Sequence, residues 1–98
     1  MPYKTIEVDI SDAVATLTFN RPKVLNALNL EVIAECGQAI SQLPKPPEAK
    51  VLVLTGAGRA FVAGADISVL QDLDPLGAKE FARKGQSLLL ALEALDIP

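Results

Sequence analysis

The chain has 98 residues, of which 50% are hydrophobic and only 4% aromatic, and its net charge is −3. This composition excludes a disordered chain and predicts an aliphatic core, in one domain or in part of one. The scattered basic residues argue against nucleic-acid binding. With no histidine and a single cysteine, the chain alone holds neither a Ser-His-Asp triad nor a structural zinc site.

Nothing in the sequence predicts a membrane segment. No apolar run approaches the roughly 18 residues that a membrane span requires. The N-terminus lacks a signal-like segment, so we expect a cytoplasmic protein. A chain this small leaves apolar surface uncovered, which predicts either missing sequence or a second copy.

The N-terminal residues predict a pair of β-strands. Residues 3–10 and residues 14–19 each alternate apolar and polar side chains, with a turn at Ser11 and Asp12 between them. Pro22 has no N–H to give to a strand ladder, so the second strand must end before it.

A helix is predicted to follow, with Asn29 as its N-cap. Six residues at three-to-four spacing form one apolar stripe that faces a core. They are Leu28, Val32, Ile33, Cys36, Ile40 and Leu43. Cys36 is therefore expected to be a small core residue. Pro44 and the prolines after it end the helix.

Residues 51–67 are the most informative stretch. Residues 51–54 are four consecutive large aliphatics, which predict a strand buried on both faces. A glycine turn follows, after which Phe61 and Val62 are expected to pack beneath it. Residues 63–66 then form a corner of small residues that leads into a short helical turn. Free N–H groups at such a corner suit an anion or a polarised carbonyl oxygen.

The same glycine-rich corner could simply turn the chain, and that alternative stays open on these residues alone. Nucleotide binding can be tested by comparing these residues with the known phosphate-binding motifs. No lysine follows Gly58 or Gly64, as a phosphate-binding P-loop requires, and Phe61 stands where a dinucleotide fingerprint needs its third glycine. A nucleotide-binding domain is therefore disfavoured.

A second long helix is predicted near the C-terminus. Asp74 is suited to its N-cap and Pro75 to its first position. Its inward residues are predicted to be Phe81, Gly85, Leu88, Leu92 and Leu95. The aliphatic strand lies between the two helices in the chain. Leu70 and Leu73, which follow that strand and precede the second helix, are expected to point inward. Helix followed by aliphatic strand favours an α/β fold.

Two stretches taken together resemble one known family. Residues 20–29, followed at the expected distance by residues 58–67, are similar to the crotonase family and above all to enoyl-CoA hydratases. The resemblance covers residues 1–98 as the N-terminal part of a family subunit whose C-terminal part is absent. It implies an incomplete α/β ββα-spiral of the ClpP/crotonase kind.

The resemblance also implies a ligand and a site. The ligand is an acyl-coenzyme A thioester, so coenzyme A is part of the substrate and neither a separate cofactor nor a metal is expected. The backbone N–H of Ala65 is implied to be half of an oxyanion hole that holds the thioester oxygen as an enolate forms. The implied substrate-binding residues are Lys23, Val24, Leu25, Ala63, Gly64, Ala65, Asp66 and Ile67. For Lys23, a solvated surface lysine is an equally good interpretation.

The sequence departs from the family pattern in two ways. Ser68 stands where hydratases often carry a lysine that reaches the ligand's phosphates. The second oxyanion donor and both catalytic glutamates of a hydratase lie beyond the equivalent of Pro98. None of the glutamates present is assigned their role; these are Glu7, Glu31, Glu35, Glu48, Glu80 and Glu93.

The resemblance implies fatty acid β-oxidation chemistry, namely hydration of 2-enoyl-CoA to 3-hydroxyacyl-CoA. Isomerisation and other reactions of the family stay open, because the residues that decide the reaction are absent. Family members are commonly trimers or dimers of trimers, so a homo-oligomer is expected. The alternative is that the chain alone is an inactive fragment or a self-associating binding module.

Overall fold

The computed structural model describes residues 3–98. Its strands are β1 (Ile6–Ser11), β2 (Val14–Phe19) and β3 (Val51–Gly56). Its α-helices are α1 (Leu30–Ser41), α2 (Ile67–Gln71) and α3 (Pro75–Glu93), and a 3-10 turn spans Pro22–Val24. Among the described residues, no helix combines the length and the apolar character needed to cross a membrane.

The strands form one sheet in the order β1-β2-β3. β1 and β2 are an antiparallel hairpin, and β3 lies parallel to β2. The hairpin turn is made by Asp12 and Ala13, which have φ angles of 52° and 68°, the positive values of the tight turns that suit twisted hairpins. The predicted turn was therefore placed one residue early, because Ser11 still pairs with Val14.

The core lies on one face of the sheet. β2 alternates as predicted, with Ala15, Leu17 and Phe19 buried and the residues between them more exposed. The buried cluster comprises Ile6, Leu17, Phe19, Val32, Ile33, Cys36, Ala39, Ile40 and Leu88. It joins the sheet to α1 and α1 to α3. The predicted stripe is confirmed for Val32, Ile33, Cys36 and Ile40, whereas Leu28 and Leu43 lie outside the helix and Leu43 is not part of the cluster.

The prediction that β3 is buried on both faces is wrong. Leu52 and Leu54 pack against the core, but Val53 is 40% exposed. Val53 pairs with Thr16, on the face of the sheet opposite to the buried cluster. Four consecutive aliphatics reveal that a strand is apolar, but they do not reveal how many layers cover it within this chain.

Side-chain caps set the starts of the helices. Asn29 accepts a hydrogen bond from the Val32 N–H at 2.9 Å, and Asp74 accepts one from the Gly77 N–H at 2.7 Å. Both predicted N-caps are thus confirmed. Each cap satisfies one of the N–H groups that a helix start leaves without a partner.

Two of the predicted inward residues between β3 and α3 lie elsewhere. Leu70 is exposed, as it belongs to α2, a five-residue helix that has no buried residue. Phe61 is also more than half exposed, although its ring and that of Phe19 form a T-shaped pair with centroids 5.7 Å apart. Val62 packs against the core as expected.

Candidate functional site

The corner at residues 63–66 is held beside the loop that follows β2. The Leu28 N–H donates to the Gly64 carbonyl at 2.8 Å, and the Asp66 N–H donates to the Leu28 carbonyl at 2.7 Å. These two bonds make an isolated parallel bridge between Leu28 and Ala65. A third bond, from the Ala63 N–H to the Leu25 carbonyl at 3.1 Å, continues the pairing.

The bridge leaves the Ala65 N–H without a partner. In a parallel bridge, one of the two paired residues hydrogen-bonds to the residues before and after its partner. The N–H and C=O of the partner itself point away from the first residue. Leu28 bonds in this manner to the residues on either side of Ala65. The Ala65 N–H finds no acceptor within residues 3–98, and Ala65 itself is exposed. The corner therefore presents an ordered donor to solvent or to a ligand.

Asn26 joins the loop after β2 to the turn after β3. It is only 1% exposed, and its φ of 59° lies in the left-handed region that asparagine tolerates better than most residues. Its Nδ2 donates to the carbonyls of Ala57 and Ala60, both at 2.9 Å. Its Oδ1 accepts from the Arg21 N–H at 2.7 Å. One buried amide thus fixes the spacing of the two loops.

Arg21 reaches the corner from the same loop. Its Nη2 lies 3.1 Å from Asp66 Oδ2, and its Nη1 donates to the Ala27 carbonyl at 2.5 Å. The two side chains are 22% and 15% exposed, so water screens this ion pair less than a fully exposed one.

Asp66 has a second partner for its other oxygen. Its Oδ1 accepts from the Ser68 N–H at 3.0 Å and from the Ser68 hydroxyl at 2.6 Å, which makes Asp66 the N-cap of α2. Hydrogen bonds from the Ser68 hydroxyl and from Arg21 hold the pKa of the Asp66 carboxyl below its ordinary value. Ser68, which departs from the family pattern, thus supports the start of the helix.

The predicted coenzyme A residues are brought to neighbouring loops. Lys23 and Val24 lie in the 3-10 turn and are exposed, while Leu25 contacts the corner through its carbonyl. At the other end of the corner, Ile67 is 69% exposed. Lys23 has no ion-pair partner among the described residues, which leaves both of its interpretations open.

Glutamates that the sequence left unassigned have structural partners in two cases. Glu35 accepts hydrogen bonds from the Thr5 N–H at 2.8 Å and the Thr5 hydroxyl at 2.7 Å, as well as from the Lys4 N–H. Glu80 pairs with Arg83 on the surface of α3. Both carboxylates serve the fold.

Arg21, Asn26 and Gly56 were missed as residues that shape the corner. Arg21 and Asn26 belong to the motif quoted for the resemblance, yet their partners lie 31 to 45 residues away. A Cβ on Gly56 would lie 2.5 Å from the Phe61 carbonyl oxygen and 2.8 Å from Asn26 Nδ2. The sequence feature that could have pointed to them is the presence of polar residues in the first motif together with a glycine turn in the second.

The fold and the open donor define an α/β protein of the crotonase-fold class. A crystal structure of enoyl-CoA hydratase from Bacillus anthracis superposes with a TM-score of 0.91 at 27% identity, covering 97% of this chain and 38% of that chain. The expected ββα-spiral is confirmed, and the described chain is a mixed α/β part of it.

The sequence comparisons lead to the family. The family model for enoyl-CoA hydratase/isomerase matches residues 9–98. The chain is 37% identical to a crotonyl-CoA hydratase of Syntrophomonas wolfei and 35% identical to a short-chain-enoyl-CoA hydratase of Clostridium acetobutylicum. Each alignment covers 100% of this chain and 38% of the relative. The chain belongs to the enoyl-CoA hydratase/isomerase family and spans about two fifths of the length of these relatives.

Proposed function

We propose that this chain is the N-terminal part of a subunit that hydrates 2-enoyl-CoA to 3-hydroxyacyl-CoA. The observation that carries the proposal is the unpartnered N–H of Ala65, held in place by bonds on both sides of it. The names of the matched relatives support the reaction, and the family match supports an acyl-CoA substrate.

The chemistry assigned to this chain is charge stabilisation. As a base takes a proton from water and the water oxygen bonds to C3 of the enoyl group, the π electrons move toward the thioester oxygen, which becomes an enolate oxyanion. The Ala65 N–H donates to that oxygen, and a proton added to C2 then completes the hydration. A preorganised donor of this kind is worth about 3–4 kcal/mol in the transition state.

The acid and base that handle the water are assigned to residues outside this chain. The Asp66 carboxylate, the nearest to Ala65 in sequence, is engaged by Arg21 and Ser68. The exposed Lys23, Val24 and Ile67 are proposed to contact the coenzyme A moiety, together with Leu25 and the corner itself.

The binding half of the proposal is tested by calorimetric titration of this chain with acetoacetyl-CoA. Ala65→Pro removes the N–H, whereas the matched control Ala65→Gly keeps it and removes only a methyl group. We expect the glycine variant to bind like the parent and the proline variant to lose binding while circular dichroism shows it folded. Equal binding by the folded proline variant would contradict the assignment.

The catalytic half is tested with the complete subunit. We expect crotonyl-CoA to gain the mass of water, and Ala65→Pro to lower kcat by about 10²-fold or more. The same oxyanion site would also serve isomerisation, to which the family's description extends. A product of unchanged mass with a shifted double bond would replace hydration by isomerisation.

A self-associating role has one supporting observation. The helix α3 exposes Leu76, Leu89 and Leu90, with 79%, 61% and 63% of their surfaces accessible. We propose that assembly with further copies covers the exposed leucines, of which Leu89 and Leu90 are adjacent, since apolar surface left open on a domain often marks a contact. Light scattering after size exclusion tests this, and a monomer at all concentrations would contradict it.

A further inference from the structure

We propose that Arg21 is the positioning residue of the oxyanion site, where it both orients the Ala65 donor and balances the charge beside it. This inference rests on the proposed function of Ala65. It follows from the two bonds that one guanidinium makes, to the Ala27 carbonyl and to the Asp66 carboxylate.

The first part of the argument is geometric. Ala27 and Asp66 each adjoin one member of the bridge between Leu28 and Ala65. Because the bridge is parallel, Ala27 lies before it on one segment and Asp66 lies after it on the other. By holding both, Arg21 ties the two segments together diagonally, while the backbone bonds of Leu28 hold them in the middle. The planar guanidinium presents its donors in a rigid fork, so it fixes direction as well as distance.

The second part is electrostatic. Asp66 follows Ala65 directly in the chain, so its carboxylate is the nearest in sequence to the N–H where the oxyanion is proposed to form. Like charges at short range raise the free energy of the second one. Arg21 is the charged side chain that contacts this carboxylate, at 3.1 Å. Its removal would leave the carboxylate to oppose an enolate held by the Ala65 N–H.

The test measures the enolate directly. Acetoacetyl-CoA absorbs differently as a ketone and as an enolate, so the ultraviolet spectrum of the bound ligand reports oxyanion stabilisation at fixed pH. We expect Arg21→Gln to lower the ratio of bound enolate to ketone about tenfold, less than the roughly 10²-fold or greater effect of losing a donor. The matched control is Arg83→Gln, which breaks the exposed pair with Glu80 and should change nothing.

A double variant separates charge from shape. Asp66→Asn keeps an oxygen to cap α2 but removes the negative charge. We expect Arg21→Gln combined with Asp66→Asn to recover part of the lost enolate fraction. A double variant no better than Arg21→Gln would overturn the charge-balancing role.

Amide hydrogen exchange, measured without ligand, tests whether Arg21 holds the bridge, and its result does not depend on ligand binding. We expect the amide protons of Leu28 and Asp66, which form the bridge, to exchange faster with solvent in Arg21→Gln than in Arg83→Gln. Unchanged exchange at both amides would show that Arg21 does not hold the bridge. If the complete subunit binds no acetoacetyl-CoA, the proposed function fails, but the exchange rates still decide the role of Arg21.

Discussion

Gly56 is predicted to tolerate no side chain, because it lies where three backbone segments meet. It ends β3, pairs with Phe19, and faces the turn that Asn26 ties down. A Cβ at this position would lie 2.5 Å from the Phe61 carbonyl oxygen, 2.8 Å from Asn26 Nδ2 and closer still to the Ala60 carbonyl oxygen. Two of these three neighbours are backbone atoms, which cannot rotate away as a side chain can.

The magnitude follows from two costs. Overpacking at a rigid site costs about 1–3 kcal/mol. Displacing Asn26 Nδ2 from the carbonyl that it bonds leaves buried polar groups without partners, which costs about another 1–3 kcal/mol. We therefore expect Gly56→Ala to lower the free energy of unfolding by about 3 kcal/mol or more, a large share of the 5–15 kcal/mol of an ordinary domain.

Urea denaturation of this chain, followed by circular dichroism, measures the effect. At a slope of about 1.5 kcal/mol per molar urea, the midpoint should fall by about 2 M. The matched control is Gly37→Ala in α1, where a Cβ would meet nothing within 4 Å. That variant should gain up to about 1 kcal/mol from helix propensity. A Gly56→Ala midpoint equal to that of the parent would refute the reasoning.

Two further predictions concern a carboxylate and a thiol. Burial raises the pKa of the Glu35 carboxyl, but hydrogen bonds from Thr5 and Lys4 together outweigh burial and hold the pKa below its ordinary value. The contribution of Glu35 to stability is therefore present above the ordinary pKa and is lost as the pH falls through the lowered value. Glu35→Gln should be less stable than the parent at neutral pH, and the gap should close in acid; a constant difference in urea midpoint across this range would contradict the linkage. Burial raises the pKa of the Cys36 thiol to about 11, so the folded chain should resist iodoacetamide and react once urea unfolds it, whereas rapid alkylation without urea would contradict the core position.

Local patterns predicted the parts of the fold that neighbouring residues decide. Asn29 and Asp74 could be recognised as N-caps because an N-cap bonds to an N–H two or three residues away. The apolar stripe of α1 likewise follows from helical spacing alone. The number of layers over β3 depends on residues distant in sequence, and for that reason the exposure of Val53 was not foreseen.

In the candidate site, too, the features decided by neighbouring residues were predicted and those decided by distant residues were not. The corner around Ala65 was predicted from its small residues and from the resemblance, and the structure gives it an unpartnered N–H. The residues that hold the corner in place could not be identified from the sequence. Arg21 and Asp66 are 45 positions apart, and a sequence alone does not reveal which of nine cations meets which of twelve carboxylates.

The most direct test of the central claim observes the Ala65 N–H itself. In nitrogen-15 and proton NMR spectra of the labelled chain, we expect acetoacetyl-CoA to move the Ala65 amide proton strongly downfield, as a new hydrogen bond to an oxyanion does. The amides of Leu28 and Asp66, which already donate within the chain, should move much less. Ligand binding that shifts other resonances but leaves the Ala65 amide unmoved would contradict the account.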